Sequence, residues 1–179
     1  IHTGIDAALT LRDELGPGVA DISAIKAGIS KYAANRASEQ YPTNTEAAKF
    51  NLQYVVAYAI ANGPPGLSAF GEDAIKDARV KALARMVSVA IDPDFADAHE
   101  DYPTRLTVTL RDGRTLEQLR VYASGTRQYP MSPAQMEDKF LDCAAQALAP
   151  GAAKQILATL RTLGEQASFA EFWPLLRRA

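Results

Sequence analysis

From Thr104 to Ser124, Leu106, Val108 and Leu110 alternate with Arg105, Thr107 and Thr109 before Asp112-Gly113. A period of two belongs to a strand, because successive side chains leave a pleated ribbon on opposite faces, and Asp-Gly between two such runs is a tight-turn signal. The segment is therefore predicted to be a β-hairpin. A two-residue type I′ turn at Asp112-Gly113 would pair Arg111 with Arg114, set Leu106 opposite Leu119 and bring Val121 to the same apolar face. A hairpin with one apolar face does not hold alone in water, so helices must cover it. Two further strands are predicted. Val19 to Lys31 carries Ile22, Ile25 and Ile29 without a cap, and Val87, Val89 and Ile91 alternate until Pro93. The fold class expected is α+β: a small antiparallel sheet with a β-hairpin covered by helices, followed by C-terminal helices.

Cap signals place the helices. Thr3 and Asp6 have capping-box spacing ahead of Ile5, Ala8, Leu11 and Leu15, and Gly16-Pro17-Gly18 ends that helix. Thr43 and Glu46 repeat the spacing before a helix over 47–62, apolar around most of its circumference and so expected to be deeply buried; Gly63-Pro64-Pro65 stops it. Asp77 caps a helix bearing Val80, Leu83 and Ala84. Ser132-Pro133-Ala134-Gln135 combines a capping serine, proline at the first helical position and a box glutamine ahead of Met136, Phe140, Cys143, Ala144 and Ala147. Helices over 152–163 and 168–176 close the chain, the last with Ser168 and Glu171 in box spacing and Phe169, Phe172 and Trp173 as anchors. This division suggests an α+β domain over 1–148 and terminal helices over 149–179.

Composition excludes several classes of partner. Nineteen Lys and Arg against 21 Asp and Glu leave a net charge of −2, too balanced for nucleic acid or an anionic lipid surface to be the default partner. The longest apolar stretch, Val55 to Ala61, falls far short of a membrane span. A single cysteine, Cys143, cannot close an intramolecular disulfide, which suits a reducing cytoplasm. The chain starts at Ile1 inside an amphipathic segment and reads as a fragment.

Among candidate functional groups, His2 stands at the start of the first helix, where free N–H groups and the positive dipole end favour an anion and disfavour imidazolium. It is a candidate acid/base group, or else a frayed terminal residue. Lys49 could hold a substrate carboxylate one turn before Gln53, or could pair on the surface with Glu46. Arg36, Arg79, Arg127 and Lys139 are scattered cations open to the same two readings. The run 92–101, with Asp92, Asp94, Asp97, His99, Glu100 and Asp101, invites a metal reading. It lacks the glycine and closing glutamate of a calcium loop, and a solvated acidic loop is the better expectation. Cys143 falls on an apolar stripe and is expected to be an inert core thiol. No glycine cluster forms a phosphate-binding fingerprint, and no metal site is expected.

Several segments, taken in order, resemble the C-terminal part of the MmgE/PrpD family, which includes 2-methylcitrate dehydratases, cis-aconitate decarboxylases and iminodisuccinate epimerases. They are His2-Thr3-Gly4-Ile5-Asp6-Ala7-Ala8, Ala47-Ala48-Lys49-Phe50-Asn51-Leu52-Gln53-Tyr54, Asp77-Ala78-Arg79-Val80, Tyr102-Pro103, and Gly125-Thr126-Arg127-Gln128-Tyr129-Pro130-Met131-Ser132 leading into Lys139-Phe140. The resemblance implies a two-domain enzyme in which an all-helical domain carries most of the active site and an α+β lid closes over it. This chain is similar to the lid, with terminal helices that would return to the helical domain.

A family histidine at the domain junction matches His2. The resemblance thus implies a cofactor-independent lyase or isomerase acting on a small di- or tricarboxylate, with His2 catalytic and Lys49 a weaker substrate anchor. Its partners would be the carboxylate metabolite, the N-terminal helical domain and possible homodimerisation, and this chain alone would be inactive. The sequence departs from the common family pattern at Asn51 and Gln53, where small residues or proline are frequent. The competing expectation is a non-catalytic interaction or dimerisation module using Phe172, Trp173 and Leu176.

Overall fold

The computed structural model describes residues 1–35, 40–149, 151–165, 168, 170 and 172–176. The chain divides into two compact units, Ile1–Pro130 and Met131–Ala179. The first opens with helix α1 (His2–Leu15) and, after a 3-10 turn, strand β1 (Ile22–Ile29). Helices α2 (Lys31–Ala34), α3 (Thr45–Lys49), α4 (Leu52–Asn62), α5 (Glu72–Lys76) and α6 (Ala78–Ala84) then lead to strand β2 (Val87–Ile91). Strands β3 (Thr104–Leu110) and β4 (Thr115–Arg120) form the hairpin. The second unit holds α7 (Pro133–Ala144), α8 (Ala152–Arg161) and a 3-10 turn at Trp173–Leu176; Phe169 and Glu171 lie outside the described residues.

The class is α+β, and the sheet is mixed, in the order β2-β1-β3-β4. β1 pairs antiparallel with β3 and parallel with β2. The parallel pairing follows from the helical crossover between β1 and β2, since a parallel neighbour needs a connection long enough to carry the chain back to the starting edge. The spacing of Ile22 and Ile25 would put them on opposite faces of a regular strand. A bulge at Ser23 shifts the register so that Ile22 meets Leu110 and Ile25 meets Val108, and both isoleucines are buried. Ile25, Ala27, Leu106 and Val108 form the inner face, covered by Ala7, Ala8 and Leu11 of α1 and Val55, Val56 and Ile60 of α4.

Three local expectations are corrected by tertiary contacts. Thr3 does not cap α1, which has Ile1 at its N-cap and no side-chain cap. The buried Thr3 hydroxyl donates to the Tyr102 carbonyl at 2.6 Å and shares a 2.9 Å hydrogen bond with Thr104, while Asp6 accepts from the Ser124 N–H at 2.6 Å. Both members of the supposed box are engaged by distant backbone.

The single helix expected over 47–62 is two helices. Asn44, rather than Thr43, caps α3, and the fully buried Asn51 recaps the chain by accepting from the Tyr54 N–H at 2.8 Å while donating to the Gln40 carbonyl at 2.7 Å. Phe50, at the break, is exposed.

The hairpin is real but its register is shifted by one. Leu106 pairs with Gln118, not Leu119, because the loop has three residues: the Leu110 N–H bonds to the Arg114 carbonyl, and Gly113 takes φ +87°. Leu116 thereby packs on the core, whereas Leu119 and Val121 stay exposed.

The signals that rest on short-range chemistry are present as expected. Asp77 caps α6, and the Ser132–Gln135 capping box has both of its hydrogen bonds. Cys143 is exposed rather than in a core, because α7 has no buried residue along its stripe. Burial in the second unit falls on Ala152 and Ile156 of α8.

The two asparagine caps differ in surroundings and should differ in worth. Asn51→Ala is expected to lower stability by about 2 kcal/mol, because it removes a cap and leaves buried donors and acceptors unmet. Asn44→Ala, at an exposed cap, should cost less than about 1 kcal/mol. Urea midpoints of the two variants check the order.

Candidate functional site

Helices α1 and α4 lie side by side and run in the same direction. A Cβ added at Gly4 would come within 2.7 Å of Leu52, whereas at the far end Arg12 donates through Nε to the Ile60 carbonyl at 3.1 Å. Both N-termini therefore share an edge with the C-terminal ends of the parallel strands β1 and β2, because Thr104, in contact with the Gly4 position, pairs with Ile29. Helix N-termini beside the carboxyl ends of parallel strands offer unpaired N–H groups to an anion.

On this edge His2 is the first residue of α1 and is exposed. Next to it, Thr3 fixes Tyr102, which sits with Asp101 in the left-handed region at φ +48° and +61°. Two successive non-glycine residues in that region cost free energy, and the Thr3 hydrogen bond helps hold them there. The Tyr102 ring stacks on Tyr32 with centroids 5.6 Å apart, and Tyr32 meets His99 edge-on at 6.0 Å. Below them, the buried Ser30 caps α2 by accepting from the Ala33 N–H. Lys31 pairs with Asp97 at 2.8 Å in the open, and that contact holds the Asp97 carboxyl below its ordinary range.

Lys49 lies at the end of α3, paired with Glu46 at 2.7 Å and partly exposed. The break at Phe50 and Asn51 separates it from the helix that carries Gln53, so helical spacing does not align the two. Gln53, in the first turn of α4, keeps a buried Oε1 without a hydrogen-bond donor among the described residues. The sequence placed Gln53 one turn from Lys49 and marked it as a departure from a pattern; its acceptor, unmet among the described residues, is visible in the fold alone. Tyr32 was missed altogether, since a tyrosine in a polar stretch carries no local signal.

The acidic run 92–101 is not uniformly solvated. Asp92 is buried and receives the Arg105 Nε–H at 2.8 Å, while the same guanidinium reaches Asp94 at 2.7 Å and Glu117 at 3.0 Å. Gly28 makes room for this, because a Cβ there would lie 2.7 Å from the Asp92 Oδ2. Burial opposes ionisation of Asp92. The hydrogen bonds from Arg105 and the Asp94 N–H, with the charges of Arg105 and Lys26, outweigh it and hold the carboxyl below its ordinary range. Among the described residues, no group of three or more His, Cys, Asp or Glu is placed to hold a metal ion. Of the scattered cations, Arg127 is exposed in a loop, Arg79 lies on α6, Lys139 lies on α7 in the second unit, and Arg36 is outside the described residues.

The sequence over residues 1–165 matches a known family, described as the MmgE/PrpD C-terminal domain. The chain belongs to the MmgE/PrpD family. No curated protein matches it. The MmgE/PrpD domain thus presents one edge that combines two helix N-termini, an exposed histidine and an aromatic cluster, braced on the outer sheet face by the Arg105 ion pairs.

The brace has a pH signature. A carboxyl with a depressed pKa stabilises the fold above the unfolded value of about 4, and that contribution is lost as pH falls through the folded value. Arg105→Met is expected to cost about 1–3 kcal/mol at pH 7, where Asp92 stays charged and buried without its partner. The cost should shrink at about pH 3.5, where the carboxyl is largely protonated in the unfolded chain and in the variant. Urea unfolding at the two pH values checks this, and an equal loss at both would contradict it.

Proposed function

We propose that this domain is the closing part of a cofactor-independent lyase or isomerase whose substrate is a small di- or tricarboxylate. The observation that carries the reading is the shared edge: an exposed His2 at the N-terminus of α1, beside the N-terminus of α4. Dehydration, decarboxylation and epimerisation in this family share one difficulty, a carbanion that develops next to a carboxylate. Stabilising it requires donors and cations already in place around the substrate's acid groups. The first turn of α1, which carries no side-chain cap, supplies donors of that kind beside His2.

In this reading His2 takes or returns the proton at the substrate carbon. Lys49 exchanges its Glu46 contact for a substrate carboxylate, an inexpensive exchange because an exposed ion pair contributes little. Closure against an all-helical domain would exclude water and strengthen each of these contacts.

The exposed Trp173 and Leu176 support a second role as a contact between copies, alongside catalysis or in place of it.

Assays of the protein that carries this domain with its helical partner domain, against 2-methylcitrate, cis-aconitate and iminodisuccinate, are expected to show turnover of one of them. His2→Ala should lower kcat by roughly 10²–10⁴-fold, the worth of a positioned acid/base group. Lys49→Ala should act mainly on KM. Unchanged turnover in the His2 variant removes its role, and absence of turnover on all three, with a stable dimer lost on Trp173→Ala, favours the interaction module.

A further inference from the structure

The geometry points to a second binding site, on the edge opposite His2, for an amphipathic organic anion: a carboxylate with a short aliphatic body. A cleft of about 750 Å³ opens there, within the range of small-molecule sites. It is bounded by the C-terminal turns of α1 and α4, the start of β1 and helix α6. Ten residues separate His2 from Arg12, so at 1.5 Å per residue about 15 Å of helix lies between the two edges.

The cleft has an apolar floor and a cationic rim. Val19, Ile22, Ile60 and Leu83 contribute aliphatic surface, while Arg12, Arg79 and Arg111 contribute three guanidinium groups against one carboxylate, Asp13. The arginines are not equivalent. Arg12 is oriented by its hydrogen bond to the Ile60 carbonyl and serves the end of α4. The side chains of Arg79 and Arg111 make no hydrogen bond or ion pair with any described residue, although Asp13 lines the same cleft.

Elsewhere on this chain arginines take carboxylate partners when these are near, as Arg105 does with Asp92, Asp94 and Glu117, and Arg114 with Asp112. Two unmatched guanidiniums over a concave apolar floor fit a ligand that brings its own carboxylate and covers the floor with methylenes. A small polar anion would leave the floor wet, and a neutral aliphatic molecule would leave the guanidiniums unmet.

Titration calorimetry of the chain with octanoate, acetate, 1-octanol and octylammonium tests this. Octanoate is expected to bind at least ten-fold more tightly than each of the other three. The double variant Arg79→Gln/Arg111→Gln changes two exposed side chains and should fold, as circular dichroism will show; it should weaken octanoate by at least ten-fold. Arg114→Gln, outside the cleft, should leave octanoate binding unchanged. Octanoate that binds no better than octanol, binds equally to the double variant, or does not bind up to its solubility overturns the proposal. The comparison among the four probes decides the matter even if the double variant does not fold.

Discussion

The approach of Leu52 to Gly4 decides where the chemistry of the first unit can be. A Cβ at position 4 would meet the Leu52 Cδ1 at 2.7 Å, so that the buried leucine side chain would have to leave its place against α1. With Leu52 seated against Gly4 and Arg12 reaching the Ile60 carbonyl, the two helices share a direction and an edge, and their buried residues join those of the sheet in one core. Burial of that shared surface supplies the main stabilisation, since each fully covered Leu, Ile or Val contributes roughly 1.5–3 kcal/mol relative to exposure. The parallel strand β2 extends the same geometry, carrying its C-terminal end to the edge where His2 stands.

The outer face of the sheet follows a different logic. No helix is needed over Lys26, Thr107 and Glu117, because that face is polar, and Arg105 ties β3 to β4 and to the segment after β2 through three carboxylates. Asp92 is the buried member of this set. Its carboxylate is tolerable there only because a guanidinium and a backbone N–H satisfy it. The result is a sheet whose inner side is held by area and whose outer side is held by charge. Its two ends carry unlike surfaces: helix N-termini and aromatic rings at one, arginines beside aliphatic side chains at the other.

How much of this was legible in the sequence varied with the range of the interaction involved. The Ser132–Gln135 box and the Asp77 cap were readable because donor and acceptor lie within three residues of each other. Thr3 and Asp6 have the same spacing, yet Tyr102, Thr104 and Ser124, about a hundred residues away, take both side chains. The hairpin strands were legible by alternation. Their register was not, because Asp-Gly serves a two-residue turn and also the end of a three-residue loop, and only the Leu110–Arg114 pairing distinguishes them. Of the candidate site, His2 could be named from its place ahead of a helix. Tyr32, Tyr102 and the unmet acceptor of Gln53 could not, since stacking and desolvation are properties of an assembled surface.

By itself, the sequence determined the class of fold, the positions of most helices and strands and the family pattern, because periodicity, caps and turn dipeptides act within a few residues. Tertiary structure alone decided that β1 and β2 lie parallel, that the helix over 47–62 breaks at Asn51, that Cys143 is exposed, and that His2 shares an edge with α4. Each of these depends on what a side chain meets across the fold, and a buried hydrogen bond or a close packing contact outweighs the fraction of a kcal/mol by which local preference favours one conformation over another.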